Sequence, residues 1–151
     1  MAKRRFSDVD RVLDKWVDGI ERQATAVIKR AARAVDERLV DLTPVDTGRA
    51  RSNWVATRGV PFQGEIPAYS PGYKLGRAEA ANARQAKAQA ESVIRGFEAK
   101  PGRAIFLTNN VSYLALLNAG TSAQSPAGFF EMGAQTGAKV FENSGVFKRR
   151  R

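Results

Sequence analysis

Apolar residues in the first third of the chain recur at steps of three and four. Phe6, Val9, Leu13, Trp16, Val17, Ile20, Ala24, Val27, Ile28, Ala31, Val35, Leu39 and Leu42 trace one helical face. The spacing predicts an amphipathic helix over 7–42, with Ser7 or Asp8 capping the first turn and Asp8, Asp10 and Asp14 suiting the positive end of its dipole. Pro44 stops it, because the residue before a proline is pushed out of helical geometry. Such a helix is a rod of roughly 50 Å. A domain of this length has a radius of gyration of only about 15 Å. Part of the rod is therefore expected to project or to pack on a neighbour, unless the helix kinks near Gly19.

Beyond the helix the pattern breaks into shorter pieces. Asp46, Thr47 and Gly48 predict a tight turn, in which Asp and Thr side chains bond amides two residues on and Gly takes the otherwise strained dihedrals. Arg51 to Thr57 reads as a strand with Ser52, Trp54 and Ala56 on one face, or as a helical turn that then extends. Trp54 is expected in the core. Residues 59–77 hold three prolines, four glycines and the aromatics Phe62, Tyr69 and Tyr73. That length is unusual for a loop. The segment is read as an extended arm lying on another subunit, with a loop folded back on its own domain as the other reading.

Residues 78–98 predict an alanine-rich helix with Ala83, Ala86, Ala90, Val93, Ile94 and Phe97 on one face. Ala104 to Leu107 predicts a short strand closing on Asn109-Asn110, a pair expected to cap the next helix or turn. A helix over Ser112–Ala119 comes next, with Tyr113, Leu114, Leu116 and Leu117 inward and Gly120 as its stop. Ser125-Pro126 then opens the last helix, where Gly133 and Gly137 allow close backbone approach. Val146-Phe147 predicts a final edge strand before a basic tail at 146–151. The whole is read as one α+β domain, 1–151: a long N-terminal helix packed on a small, mostly antiparallel sheet, with further short helices and an extended loop.

Composition narrows the chemistry. Neither cysteine nor histidine occurs among the 151 residues. That excludes disulfides, thiolate ligands and the usual neutral-pH base, so no enzyme, metal or cofactor is expected. No apolar run is long enough for a membrane span, and none follows the basic N-terminus as a signal-peptide core would. Nothing is thus expected to direct the chain out of the cell that makes it. The net charge of +10 is uneven: residues 7–42 sum to −1 and the remainder to +11. The excess suits a polyanion or an acidic partner surface, and it predicts binding that weakens with salt.

Three segments together resemble the tail-completion (neck, or head–tail joining) proteins of tailed bacteriophages, including the minor tail protein Z type. The first is Thr43-Pro44-Val45-Asp46-Thr47-Gly48 after the long helix, with Arg49 and Trp54 beyond it. The second is Lys100-Pro101-Gly102 before the strand that closes on Asn109-Asn110-Val111-Ser112-Tyr113. The third is Gly120-Thr121-Ser122, then Gln124-Ser125-Pro126-Ala127-Gly128-Phe129. One departure is Asn118, where the family often has a glutamate, so that any pairing with the turn after the first helix weakens to a neutral hydrogen bond.

The resemblance implies a homo-oligomeric ring, usually a hexamer, at the head-proximal end of a tail. Its partners would be tail-tube or tail-terminator proteins and the head connector, with genomic DNA in the lumen a further contact and no membrane. The chain would reside in the virion, and in host cytoplasm during assembly. On this reading Pro44, Asp46, Thr47, Gly48, Asn109, Asn110 and Gly120 organise turns, while Phe62, Tyr69, Tyr73, Gln124 and Phe147 are interface candidates. Arg49, Arg51, Lys148, Arg149, Arg150 and Arg151 are candidates for DNA or an acidic partner. The competing reading is a basic nucleic-acid-binding module.

Overall fold

A computed structural model describes the backbone of residues 2–72 and 77–146 and the side chains of 8–72 and 78–146. Helix α1 runs unbroken over Ala2–Leu42, 41 residues, a rod of roughly 60 Å. It starts five residues ahead of the expected boundary, so Ser7 and Asp8 lie inside it and do not cap it. No break occurs at Gly19, around which there is open space.

The two halves of α1 differ. Val9, Val12, Leu13, Trp16, Val17 and Ile20 are each more than half exposed, Trp16 the most at 70%. Among the described side chains of the rod, Val27 is the first that is fully buried. From there α1 packs against α3 (Arg77–Arg95) and α5 (Phe129–Ser144). Two glycines bring α5 in close. A Cβ on Gly133 would stand 2.6 Å from Leu39 Cδ2, and one on Gly137 would stand 2.6 Å from Val35 Cγ2. The expected close approach is present, and these glycines are what permits it.

The sheet is two antiparallel strands, β1 (Val55–Arg58) and β2 (Ile105–Thr108), with Val55 opposite Thr108 and Arg58 opposite Ile105. The Gln89 side chain of α3 covers one edge. Its Oε1 accepts from the Ala56 N–H and its Nε2 donates to the Ala56 carbonyl, both at 2.9 Å. A backbone pair that would otherwise face outward is thereby satisfied. Ala56, Ala90 and Ile94 form a small core here, with Ala32, Ile105 and Leu107 against it. The larger core joins Leu39, Val40, Ala50, Trp54, Ala86, Val111, Leu114 and Phe129.

Other boundaries shift from expectation. Of the two readings of the stretch from Arg51 the helical turn is the one that forms, α2 (Arg49–Ser52), and the strand is confined to β1. Helix α4 is only Leu114–Asn118, and Tyr113 and Leu116 face outward at 37% and 61% exposure. Helix α5 begins at Phe129, with Gly128 in the left-handed region at its N-cap, so Ser125-Pro126 does not open it. Val146 is not in a strand, and Phe147 lies outside the described residues.

Candidate functional site

The turn after α1 is built on Thr43, which is fully buried. Its Oγ1 donates to the Leu39 carbonyl at 2.6 Å and accepts from Trp54 Nε1 at 2.7 Å. Arg51 reaches back to the Thr43 carbonyl through Nη2 at 2.7 Å and Nε at 3.1 Å, and pairs with Glu79 at 2.8 Å. These bonds satisfy the carbonyl that the end of a helix leaves open. Gly48 holds φ +80°, and a Cβ there would lie 2.1 Å from Asn82 Nδ2. The amide bond expected of Asp46 does not form: the residue is exposed and makes no hydrogen bond among the described residues. Thr47 makes only a long contact, its Oγ1 accepting from the Arg49 N–H at 3.5 Å. Buried groups from farther away hold the turn, and of the short side chains within it Thr47 makes the amide bond expected of it, though a long one.

The second and third segments fold onto this turn. Gln124 Oε1 accepts from the Val45 N–H at 3.1 Å, and Ser125 Oγ donates to the Leu42 carbonyl. Asn109 Nδ2 donates to the Ala50 carbonyl at 2.8 Å, and its Oδ1 accepts from the Val111 N–H at 3.3 Å, as expected of a local cap. Gly120 ends α4 at φ +88°. Between these pieces lies a cleft of about 440 Å³, bounded by Pro44–Ala50 on one side and Tyr113, Leu117, Ser122 and Gln124 on the other. Among the described residues, Asp46 and Arg49 are the only charged ones lining it. The bond expected between Asn118 and the turn after α1 does not form among the described residues: Asn118 donates to the Glu131 carboxylate at 3.2 Å and accepts from the Phe130 N–H at 2.9 Å, tying α4 to α5.

Residues 59–72 are no free arm. Asn53 takes the Ile66 backbone in both directions, at 2.7 and 2.8 Å. Asn82 does the same for Ser70, at 2.7 and 2.9 Å, while Ser52 Oγ accepts from the Tyr69 N–H at 3.2 Å. Asn110 Nδ2 donates to the Phe62 and Gly64 carbonyls, both at 2.9 Å. A loop rich in proline and glycine has few internal bonds, and these amides supply them from outside. The segment thus packs on its own domain. Phe62 is half-buried there and Tyr69 is partly exposed at its surface.

Two arginines read as anion contacts are occupied otherwise. Arg51 is only 8% exposed and is committed to Thr43 and Glu79, so it is structural. Arg49 stays at the surface but pairs with Glu65. Tyr73, Phe147, Lys148, Arg149, Arg150 and Arg151 lie outside the described residues. Sequence reasoning missed Asn53 and Asn82, both buried, and Asp36, which is 3% exposed. A signal for Asn82 existed: it falls on the face of Ala86 and Ala90 at helical spacing, a polar residue in an apolar row. Burial raises the Asp36 carboxyl from its ordinary 3.8 to about 7, against the pull of nearby Lys87.

Among the described residues no cluster of acids is placed to hold a metal ion, and no helix is long and apolar enough to cross a membrane. The class these features define is an α+β domain with a projecting helical rod and a turn-bounded cleft. No protein-family model, curated protein or solved structure matches the chain.

Proposed function

We propose that this is a structural protein of a phage neck: a ring at the head-proximal end of a tail that completes the tail and joins it to the head connector. One observation carries the reading. From Val9 to Ile20 the apolar face of α1 is uncovered, a patch at the upper end of what monomers leave exposed. A protein built to assemble needs such a surface. The sequence segments that suggested the family also support the reading, because residues 44–49, Tyr113, and Ser122 with Gln124 border one cleft. With neither histidine nor cysteine in the chain, that cleft suits contact with another polypeptide better than turnover.

Reconstitution tests the reading. Particles assembled without this protein should accumulate separate heads and tails, and adding the purified chain should join them. Joining that proceeds without it rejects the neck role. Monomeric, salt-sensitive binding to duplex DNA, with no effect on joining, would favour a nucleic-acid-binding module instead.

A further inference from the structure

We infer that the exposed stripe of α1 docks into an apolar groove on a second copy of this chain, head to tail. The groove, about 420 Å³, lies where α1, β2 and α5 meet. Ile28 and Val35, Ile105 and Leu107, and Ala134 and Ala138 line it. Among the described residues no charged side chain does. On α5 the small residues Ala134, Gly137 and Ala138 leave room beside Phe141, and large side chains are what the stripe offers: Leu13, Trp16 and Ile20.

A chain cannot fill its own groove. The stripe and the groove lie on one continuous helix, their centres separated by roughly 25 Å of rigid rod. The exposed area of the stripe, with an acidic ridge beside it, fits a second copy as the occupant. Asp10, Asp14, Asp18 and Glu21 form an acidic ridge beside the stripe; residues 8–22 carry a net charge of −2, with +3 from Lys3, Arg4 and Arg5 ahead of them and +9 from residues 23–151. Lys139 stands exposed next to Ala138 at the groove, and Glu142 next to Phe141. The six stripe residues expose roughly 600 Å², close to the ~800 Å² per partner of a standard interface. Unlike patches on one protomer make a heterologous contact, which propagates around an axis and gives a ring when the rotation closes. Placing that ring in a phage neck rests on the proposed function; the contact itself does not.

Light scattering across a concentration series tests the contact with three chains. The wild type should form an oligomer. Trp16→Glu, which spoils the stripe, and Ala138→Glu, which spoils the groove, should each be folded by circular dichroism and at least about thirtyfold weaker in association. An equimolar mixture of the two variants should give a dimer of one of each, because each brings the patch the other lacks. A wild type that stays monomeric overturns the inference, and so does a mixture that stays monomeric. A groove variant that still associates also overturns it, since stripe would then pair with stripe. Should either glutamate variant fail to fold, the doubly substituted Trp16→Cys/Ala138→Cys chain replaces it. With no native cysteine, that chain should oxidise to an intermolecular ladder, and absence of the ladder sinks the contact. Self-association as described, in a protein that heads and tails do not need for joining, would reject the neck role and leave this contact standing.

Discussion

Single atoms set the tolerance of the turn after α1. Gly48 has two reasons to be glycine, its positive φ and the Asn82 amide 2.1 Å from where a Cβ would sit. Gly59 has only the first, since at φ +85° nothing lies within 4 Å of its added Cβ. Gly59→Ala should therefore cost about 1–2 kcal/mol. Gly48→Ala should cost about 3 kcal/mol or more, because the displaced Asn82 also gives up its buried bonds. Thermal melting of the two variants checks the order, and equal losses would show that the contact yields freely. Asp36 gives a prediction in pH. Its buried Oδ1 has no hydrogen-bond partner among the described residues, and burial raises the carboxyl from 3.8 to about 7. The folded chain therefore holds a proton that the unfolded chain releases. The resulting stability is complete below about pH 4 and is lost as pH rises through about 7. Asp36→Asn removes that dependence, so the variant's melting temperature should lose the decline between those values that the wild type shows.

At the scale of elements, intrinsic preference and packing oppose each other in α5. On a free helix Gly133→Ala would gain about 1 kcal/mol. Here the new methyl meets Leu39 at 2.6 Å, and overpacking of that kind costs about 1–3 kcal/mol. The variant should be destabilised, and combining it with Leu39→Ala should cost less than the two separate losses added together. Denaturant melts of the four chains decide it. Most elements were legible because their signals are local. The period of α1, the proline that ends it and the alanine face of α3 each lie within one stretch of sequence. The start of the stretch from Arg51 was legible only as a choice between strand and helical turn; the turn forms because residues 49–52 curl to carry Arg51 back to the Thr43 carbonyl. Nor was the docking of residues 59–72, which depends on amides from Asn53, Asn82 and Asn110 at distant points in the chain. Composition alone describes such a segment equally well as an arm or as a loop. The cleft was legible as two motifs but not as one place, since only folding brings Gln124 to Val45.

For the whole molecule, the division of α1 separates what holds the domain together from what is left for a partner. Every described side chain from 8 to 18 is exposed, and the rod first buries a residue fully at Val27. The projecting part thus contributes little to the fold of a single chain. An isolated helix of about twenty residues is only marginally stable in water, so the free monomer should fray there while its core persists. Deleting residues 2–20 should leave the melting temperature of the monomer within about 3 °C of the full chain, a loss of no more than about 1 kcal/mol. Hydrogen exchange reads the same division without any substitution. Amides of the projecting half should exchange fast in dilute protein and slow as concentration rises, while those of β1 and β2 stay protected throughout. A drop in melting temperature far beyond this range on deletion would mean that the rod stabilises its own domain, and its apolar face would then need an explanation within one chain.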